Sequence, residues 1–279
     1  MTFPQDYARS QVAVPVRPVI YAHRGSSVLR PENTAIAFDW ALAVGADVLE
    51  TDVRLSRDDR VMVVHDERLE RTTDGRGAVR GHTAQALGRL DAGYRFEAPD
   101  GRRWRGAGAR LMPLEVLFER YPAVRINIDI KDRDPHAADC VAVTIARAGR
   151  EDAVTVGSFH AGVLTRFRQV APGVATAASR GEVAALYFGR GRGSGTTGQP
   201  YRFLQIPVRY AGLSLITPAF IRCARARDVQ CVYWTINDAP TMRTLIARGV
   251  AGIVTDRPDR LAGLLSVTPD PAGPRDAGP

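Results

Sequence analysis

The chain has 279 residues, is 45% hydrophobic and carries a formal net charge of +8, a size and balance that suit one large α/β domain with an ample core. No stretch is long and apolar enough to cross a bilayer, and Pro4, Asp6, Arg9, Pro15 and Arg17 interrupt any signal-peptide core, so the expected address is the cytoplasm. The basic balance does not signal nucleic-acid binding, because the arginines are scattered and no RNP, zinc-finger or basic-helix pattern accompanies them.

Lysine and arginine total 38, and a single one, Lys131, is lysine. Arginine does not substitute where a compact ammonium is needed, which draws attention to Asn127-Ile-Asp-Ile-Lys131. Cys140, Cys223 and Cys231 are odd in number and lack metal-site spacing, so buried free thiols are expected.

In chain order, short β-rich runs alternate with helical stretches. Strands are expected at Val19–His23, Asp47–Val53, Val61–His65, Val124–Lys131, Val154–Phe159, Val174–Ser179, Phe203–Pro207, Gln230–Asn237 and Gly252–Asp256. Helices are expected at Pro31–Val44, Pro113–Tyr121, Pro135–Ala148, Ala161–Val170, Gly181–Phe188, Pro218–Asp228, Ala239–Ala247 and Pro258–Leu265. This alternation argues for a parallel sheet covered by helices. The second and third runs are separated by only Ser56–Arg60. A parallel crossover needs a dozen residues or more, so this pair reads as an antiparallel hairpin. The other eight strands then make a TIM (β/α)8 barrel, and the hairpin brings His65 back towards Glu50 and Asp52. The expected organisation is an N-terminal arm (1–17), a barrel domain (18–266) with a small insertion over the mouth (66–112), and a disordered tail (267–279). Gly193-Ser-Gly-Thr-Thr-Gly198 fits G-x-G-x-x-G but precedes a strand instead of opening a helix, so it is not read as a dinucleotide site.

Residues at i and i+2 on a strand point the same way. Glu50 and Asp52 therefore share one face, as do Asn127, Asp129 and Lys131. A (β/α)8 barrel carries its active site at the C-terminal strand ends. Three carboxylates converging there make a hard-oxygen site suited to Mg²⁺ or Ca²⁺. Phosphodiester cleavage needs a base for the nucleophile and an acid for the leaving alkoxide, roles that His23 and His65 can fill. Arg24 and Lys131 can hold the non-bridging oxygens. Pro31-Glu-Asn-Thr34 reads as a helix start, with a contact from Glu32 or Asn33 to the site left open. Trp234 either lines a substrate pocket or belongs to the core. His82 and His136 are expected at the surface, as is His160.

Taken in order, these residues resemble the glycerophosphodiester phosphodiesterase family over about Val19 to Leu265. The resemblance rests on His23-Arg-Gly25 with Pro31-Glu-Asn-Thr34, on Glu50-Thr-Asp52-Val53, and on His65-Asp66 with Leu69, Arg71-Thr-Thr73, Gly75 and Gly77. It extends through Leu90-Asp-Ala-Gly93, Pro113-Leu114, Trp234-Thr-Ile-Asn237 and Gly252-Ile-Val-Thr-Asp256-Arg-Pro258. It implies metal-dependent hydrolysis of small-molecule glycerophosphodiesters to glycerol 3-phosphate and an alcohol. His23 and His65 would be the acid/base pair; analogy with related phosphodiesterases favours His23 as base and His65 as acid, with the reverse assignment left open. Glu50, Asp52 and Asp129 would be metal ligands, and Arg24 and Lys131 phosphate contacts. The family usually has glutamate where this chain has Asp129. Two other readings remain at this stage. One is cleavage of lysolipids in a phospholipase D manner, with an apolar groove around Tyr94, Phe96 and Trp104 and peripheral membrane contact. The other is a non-catalytic barrel that binds phosphorylated ligands, a role that needs neither histidine.

Overall fold

Apolar strands that alternate with amphipathic helices are stably closed when the strands pair in parallel and the helices cover their outer edges. The computed structural model describes residues 17–189 and 200–266. β1 (Val19–His23) leads through α1 (Ala35–Ala43) to β2 (Val48–Leu55), and β3 (Val61–Val63) returns antiparallel along it. The segment that follows holds one short helix, α2 (Ala84–Leu87), between 3-10 turns and loops. Next, α3 (Leu114–Arg120) feeds β4 (Arg125–Ile130), and α4 (His136–Arg147) feeds β5 (Val154–Gly157). They are followed by α5 (Ala161–Val170), β6 (Ala175–Thr176), α6 (Arg180–Gly189) and β7 (Phe203–Ile206). A small hairpin, β8 (Arg209–Tyr210) with β9 (Leu213–Ser214), precedes α7 (Pro218–Arg225) and β10 (Gln230–Tyr233). The described chain ends with α8 (Ala239–Ala247), β11 (Gly252–Thr255) and α9 (Pro258–Ser266). No helix among the described residues is long and apolar enough to cross a membrane.

The strands run β6-β5-β4-β2-β1-β11-β10-β7 around the sheet. Every neighbouring pair in this series is parallel. The two ends meet at a parallel bridge between Ala177 and Phe203, so eight strands form a nearly closed (β/α)8 barrel. Side-chain alternation then sorts the residues. Ile20, Leu204 and Ile253 pack outwards against α6 to α9, and Leu49, Ile126, Ile128 and Val156 pack outwards against α1 and α3 to α5. The inward positions Val19, Tyr21, Val48, Phe203, Val232 and Val254 make an apolar plug. One step further along the strands the inward residues become His23, Glu50, Asp52, Asn127 and Asp129, set level by the pairings His23↔Glu50, Glu50↔Asn127 and Asp52↔Asp129. A cavity of 310 Å³ opens at the opposite, N-terminal end, lined by Tyr21, Arg125, Thr155 and Phe203. It contains none of the polar rim.

Several elements differ from expectation. The helix after Pro31 starts at Ala35, because Asn33 is left-handed (φ 58°) and Thr34 is extended, its hydroxyl capping Ala37 N–H. The strand expected at Val174–Ser179 shrinks to two residues. Beyond it Ala177 N–H donates to Val156 O and Ala178 N–H to Phe203 O, which closes the barrel seam. The β8–β9 hairpin was not expected: its turn places both Ala211 (φ 46°) and Gly212 (φ 79°) in the left-handed region, and Ala-Gly is a weak signal for such a turn. Of the three free cysteines only Cys231 is buried, and Cys140 and Cys223 are half-buried at helix surfaces. His136 is exposed as expected, whereas His82 is half-buried with its ring against Arg76 O. The segments expected as arm and tail, and the Gly193–Gly198 motif, lie outside the described residues apart from Arg17.

Phe38 on α1 is fully buried and meets Tyr121 edge-on at 6.1 Å. Phe38→Ala is expected to cost about 3–5 kcal/mol, read as a lower urea midpoint at unchanged m-value.

Candidate active site

The rim begins with a sharp turn after β1. Arg24 (φ 51°) and Gly25 (φ 84°) are both left-handed. A Cβ on Gly25 would stand 2.6 Å from Ala37 Cβ and 2.8 Å from its backbone carbon, so only glycine lets the turn lie against α1. The turn aims Arg24 across the mouth. Its N–H donates to Glu50 Oε2 at 3.0 Å, and its guanidinium pairs with Asp52 (2.9 Å) and Glu32 (3.1 Å).

Asp52 is the hub of the cluster and is almost fully buried. Lys131 Nζ lies 2.9 Å from Asp52 Oδ1 and 2.5 Å from Asp129 Oδ2. Asn33 Nδ2 donates to Asp52 at 3.2 Å while its Oδ1 accepts from Thr51. Asn33 thus belongs to the site, and Glu32 joins it through Arg24 and Arg71. Burial alone would raise the pKa of Asp52, but Lys131 and Arg24 outweigh it and hold this carboxylate below its usual range. Glu50 is pushed well up by burial and by the charge of Asp52. Burial also raises Asp129 despite Lys131. Asp129 Oδ1 is buried without a hydrogen-bond partner among the described residues. Among the described residues no three His, Cys, Asp or Glu side chains stand as a ready-made cation cage, because Lys131 and Arg24 reach in between the carboxylates. The donor set nonetheless suits a hard divalent cation. It offers three carboxylates on one rim, one of them with a bare buried oxygen and one whose own charge is penalised where it sits.

Each histidine is held by a carboxylate. His23 Nδ1 lies 2.6 Å from Asp256 Oδ1. Asp256 in turn accepts from Ser27 Oγ (2.5 Å) and Asn237 Nδ2 (2.7 Å), while its own N–H donates to Asn237 Oδ1. His65 Nδ1 lies 2.6 Å from Asp66 Oδ1, and the other oxygen of Asp66 pairs with Arg71. The hairpin brings β3 back level with Asp52, where Val64 N–H donates to Asp52 O, and Arg54 Nε fixes His65 O at 2.7 Å. A carboxylate on Nδ1 leaves Nε2 as the nitrogen available for proton transfer. Burial would depress His23, yet the Asp256 hydrogen bond and the Glu50 charge raise it above 6.5. Burial lowers His65, assisted by Arg24 and Lys131 and opposed by Asp52 and Asp66.

Sequence reasoning missed Asp256, Asp66 and the Glu32–Arg71 brace as parts of the site. The signals were present: Asp256 closes the Gly252–Pro258 motif, and Asp66 adjoins His65. Trp234 is half-buried. It touches the apolar plug and meets Phe159 edge-on at 5.8 Å. His160 is half-buried at the start of α5. Trp104 is buried, with Arg30 and Arg102 on its ring.

Known proteins share this architecture. The sequence model of the Glycerophosphoryl diester phosphodiesterase family matches residues 23–260. The chain is 34% identical over 257 residues to a glycerophosphodiester phosphodiesterase of Bacillus altitudinis, covering 86% of this chain and 95% of that one. It is 30% identical over 261 residues to one of Caldanaerobacter subterraneus, covering 90% and 98%. The crystal structure of the glycerophosphodiester phosphodiesterase from Agrobacterium tumefaciens superposes with a TM-score of 0.71 at 27% identity, over 88% of this chain and 99% of that one. The chain belongs to the glycerophosphoryl diester phosphodiesterase family and is a phosphoric diester hydrolase.

Asp256→Asn removes the charge that raises His23. The imidazole of His23, followed by NMR in the metal-free protein, is expected to titrate at a lower pH than in wild type.

Proposed function

We propose that this enzyme hydrolyses glycerophosphodiesters such as glycerophosphoethanolamine or glycerophosphocholine to glycerol 3-phosphate and the free alcohol, with His23 and His65 dividing the proton transfers. The observation that carries the reading is the pair of Nδ1-anchored histidines on either side of a buried carboxylate–cation cluster. Arg24 and Lys131 bind the non-bridging phosphoryl oxygens, which exchanges part of their pairing with Asp52 and Asp129 for pairing with substrate. Glu50, Asp52 and Asp129 would hold a divalent cation, Mg²⁺ or Ca²⁺, which when bound polarises a phosphoryl oxygen.

His23 acts as base. In the metal-free protein the charge of Glu50 helps to keep His23 protonated. Burial and Arg24 favour the neutral imidazole that a base requires and Asp256 opposes them; a cation held by Glu50 would offset the Glu50 contribution that keeps the ring protonated. His23 Nε2 accepts the proton of the attacking oxygen as it bonds to phosphorus, whether that oxygen is water or a substrate hydroxyl whose cyclic phosphate water then opens. His65 acts as acid. Its proton is disfavoured by burial and by Arg24 and Lys131, and an anionic phosphate bound to both cations relieves their repulsion. His65 Nε2 delivers the proton to the leaving oxygen as the bond from phosphorus to the alcohol breaks. Asp256 and Asp66 hold the two rings in the tautomer these steps use.

Two outcomes check this. Glycerol 3-phosphate release from glycerophosphoethanolamine should stop with EDTA and return with Mg²⁺ or Ca²⁺, and His23→Ala or His65→Ala should each lose about 10²–10⁴-fold in kcat. Wild-type activity in either histidine variant would overturn the assignment. Separately, adding the activating metal should move the His23 imidazole titration to lower pH; an unchanged or raised midpoint would count against His23 as base.

A further inference from the structure

Phe159 follows β5 and Trp234 follows β10, and these strands are not neighbours in the sheet. Their ring contact at 5.8 Å therefore bridges the side of the mouth above β6 and β7. Phe159 is 46% exposed. A single exposed aromatic is ordinary; the charges around this one are not. Lys131 Nζ lies 5.5 Å from its ring centroid, and Arg180 Cζ lies 5.1 Å from it. The charge of Lys131 is already matched by Asp52 and Asp129. Arg180 is exposed at the head of α6 and makes no ion pair among the described residues. The nearest acidic residue in sequence, Glu182, is engaged by Arg168 at 2.7 Å. The mouth thus offers an aromatic ring with two cations near it, the lysine of the carboxylate cluster and a guanidinium that has no ion pair among the described residues.

We propose that Phe159, Trp234 and Arg180 form the subsite for the alcohol half of the diester, and that Arg180 makes it select alcohols bearing an anionic group such as a carboxylate. This inference rests on the phosphodiesterase reading above. With the phosphoryl group on Lys131, the carbon skeleton of the alcohol lies across Phe159 and its carboxylate meets the guanidinium in a paired, two-point contact. A serine-like alcohol reaches roughly 4–5 Å from ester oxygen to carboxylate, a length comparable with the distance of each cation from the ring, 5.5 Å for Lys131 and 5.1 Å for Arg180. A cationic alcohol such as choline gains stacking on the rings but meets repulsion from Arg180.

Glycerophosphoserine and glycerophosphoethanolamine differ by a single carboxylate and make the test. For the wild-type enzyme with its activating metal, kcat/KM is expected to be about tenfold higher for glycerophosphoserine at low ionic strength, with the preference shrinking as salt is added. Arg180→Gln should bring the ratio of the two close to one, and Arg180→Glu should invert it. The ratio is read within each variant, so a change in overall activity does not disturb it. A wild-type ratio at or below one, or a ratio unchanged in Arg180→Gln, would overturn the subsite assignment while leaving the phosphodiesterase reading intact. If folded wild-type enzyme turns over neither diester, that reading falls and this inference falls with it.

Discussion

Three carboxylates share the mouth of a barrel whose floor is apolar, and their mutual compensation by Arg24 and Lys131 is the condition on which the site rests. Burying like charges side by side is costly, and it is tolerated only where cations and hydrogen bonds answer each one. Asp52 has both cations and Asn33; Asp129 has Lys131; Glu50 has the backbone N–H of Arg24 and only longer-range charge from His23, Lys131 and Arg24. That gradient of compensation leaves Asp52 firmly ionised and Glu50 under strain. An ammonium suits the position between Asp52 and Asp129, because a compact head can approach two carboxylates at once where a planar guanidinium would need more room. This gives a physical reason for a lysine in a chain that otherwise uses arginine.

The backbone serves the same cluster. The left-handed turn at Arg24 and Gly25 is a conformation most side chains avoid, and it persists because the Gly25 contact with α1 and the Arg24–Asp52 pair both need it. The Pro31-Glu-Asn-Thr34 stretch is part of this arrangement. It ends in a helix cap at Thr34, while Asn33 holds Asp52 and Glu32 braces Arg24 against Arg71. Arg71 then reaches Asp66, which orients His65. Architecture and chemistry are not separable there, since one set of hydrogen bonds does both.

The two histidines are anchored alike but sit in different fields. His23 lies deep beside Glu50 and Asp256, and His65 lies nearer solvent beside two cations. Their pKa values are driven apart by these neighbours, His23 upward by Asp256 and Glu50 against its burial, and His65 downward by burial and the two cations. The apolar plug of Tyr21, Val48, Phe203, Val232 and Val254 beneath them keeps water from the far end of the barrel and so sharpens every charge interaction above it.

Much of this was legible in the chain itself. Strand periodicity placed Glu50 with Asp52 and Asn127 with Asp129 on common faces, and the five-residue link Ser56–Arg60 forced the antiparallel return that carries His65 to the rim. Those inferences hold because they depend on local geometry: the two-residue repeat of a strand and the reach of a short loop. The partners could not be read in this way. Asp256 meets His23 across 233 positions, and Lys131 bridges carboxylates of two strands. Thr34 stops the helix that Pro31 was expected to start, and Phe159 meets Trp234 only because closure of the barrel through β6 and β7 brings the ends of β5 and β10 near each other. The sequence by itself determined the strands, their order and the kinds of side chain on the rim. Tertiary structure alone decided which carboxylate answers which cation and which histidine is raised, because those energies depend on distances and burial that exist only once the barrel has closed.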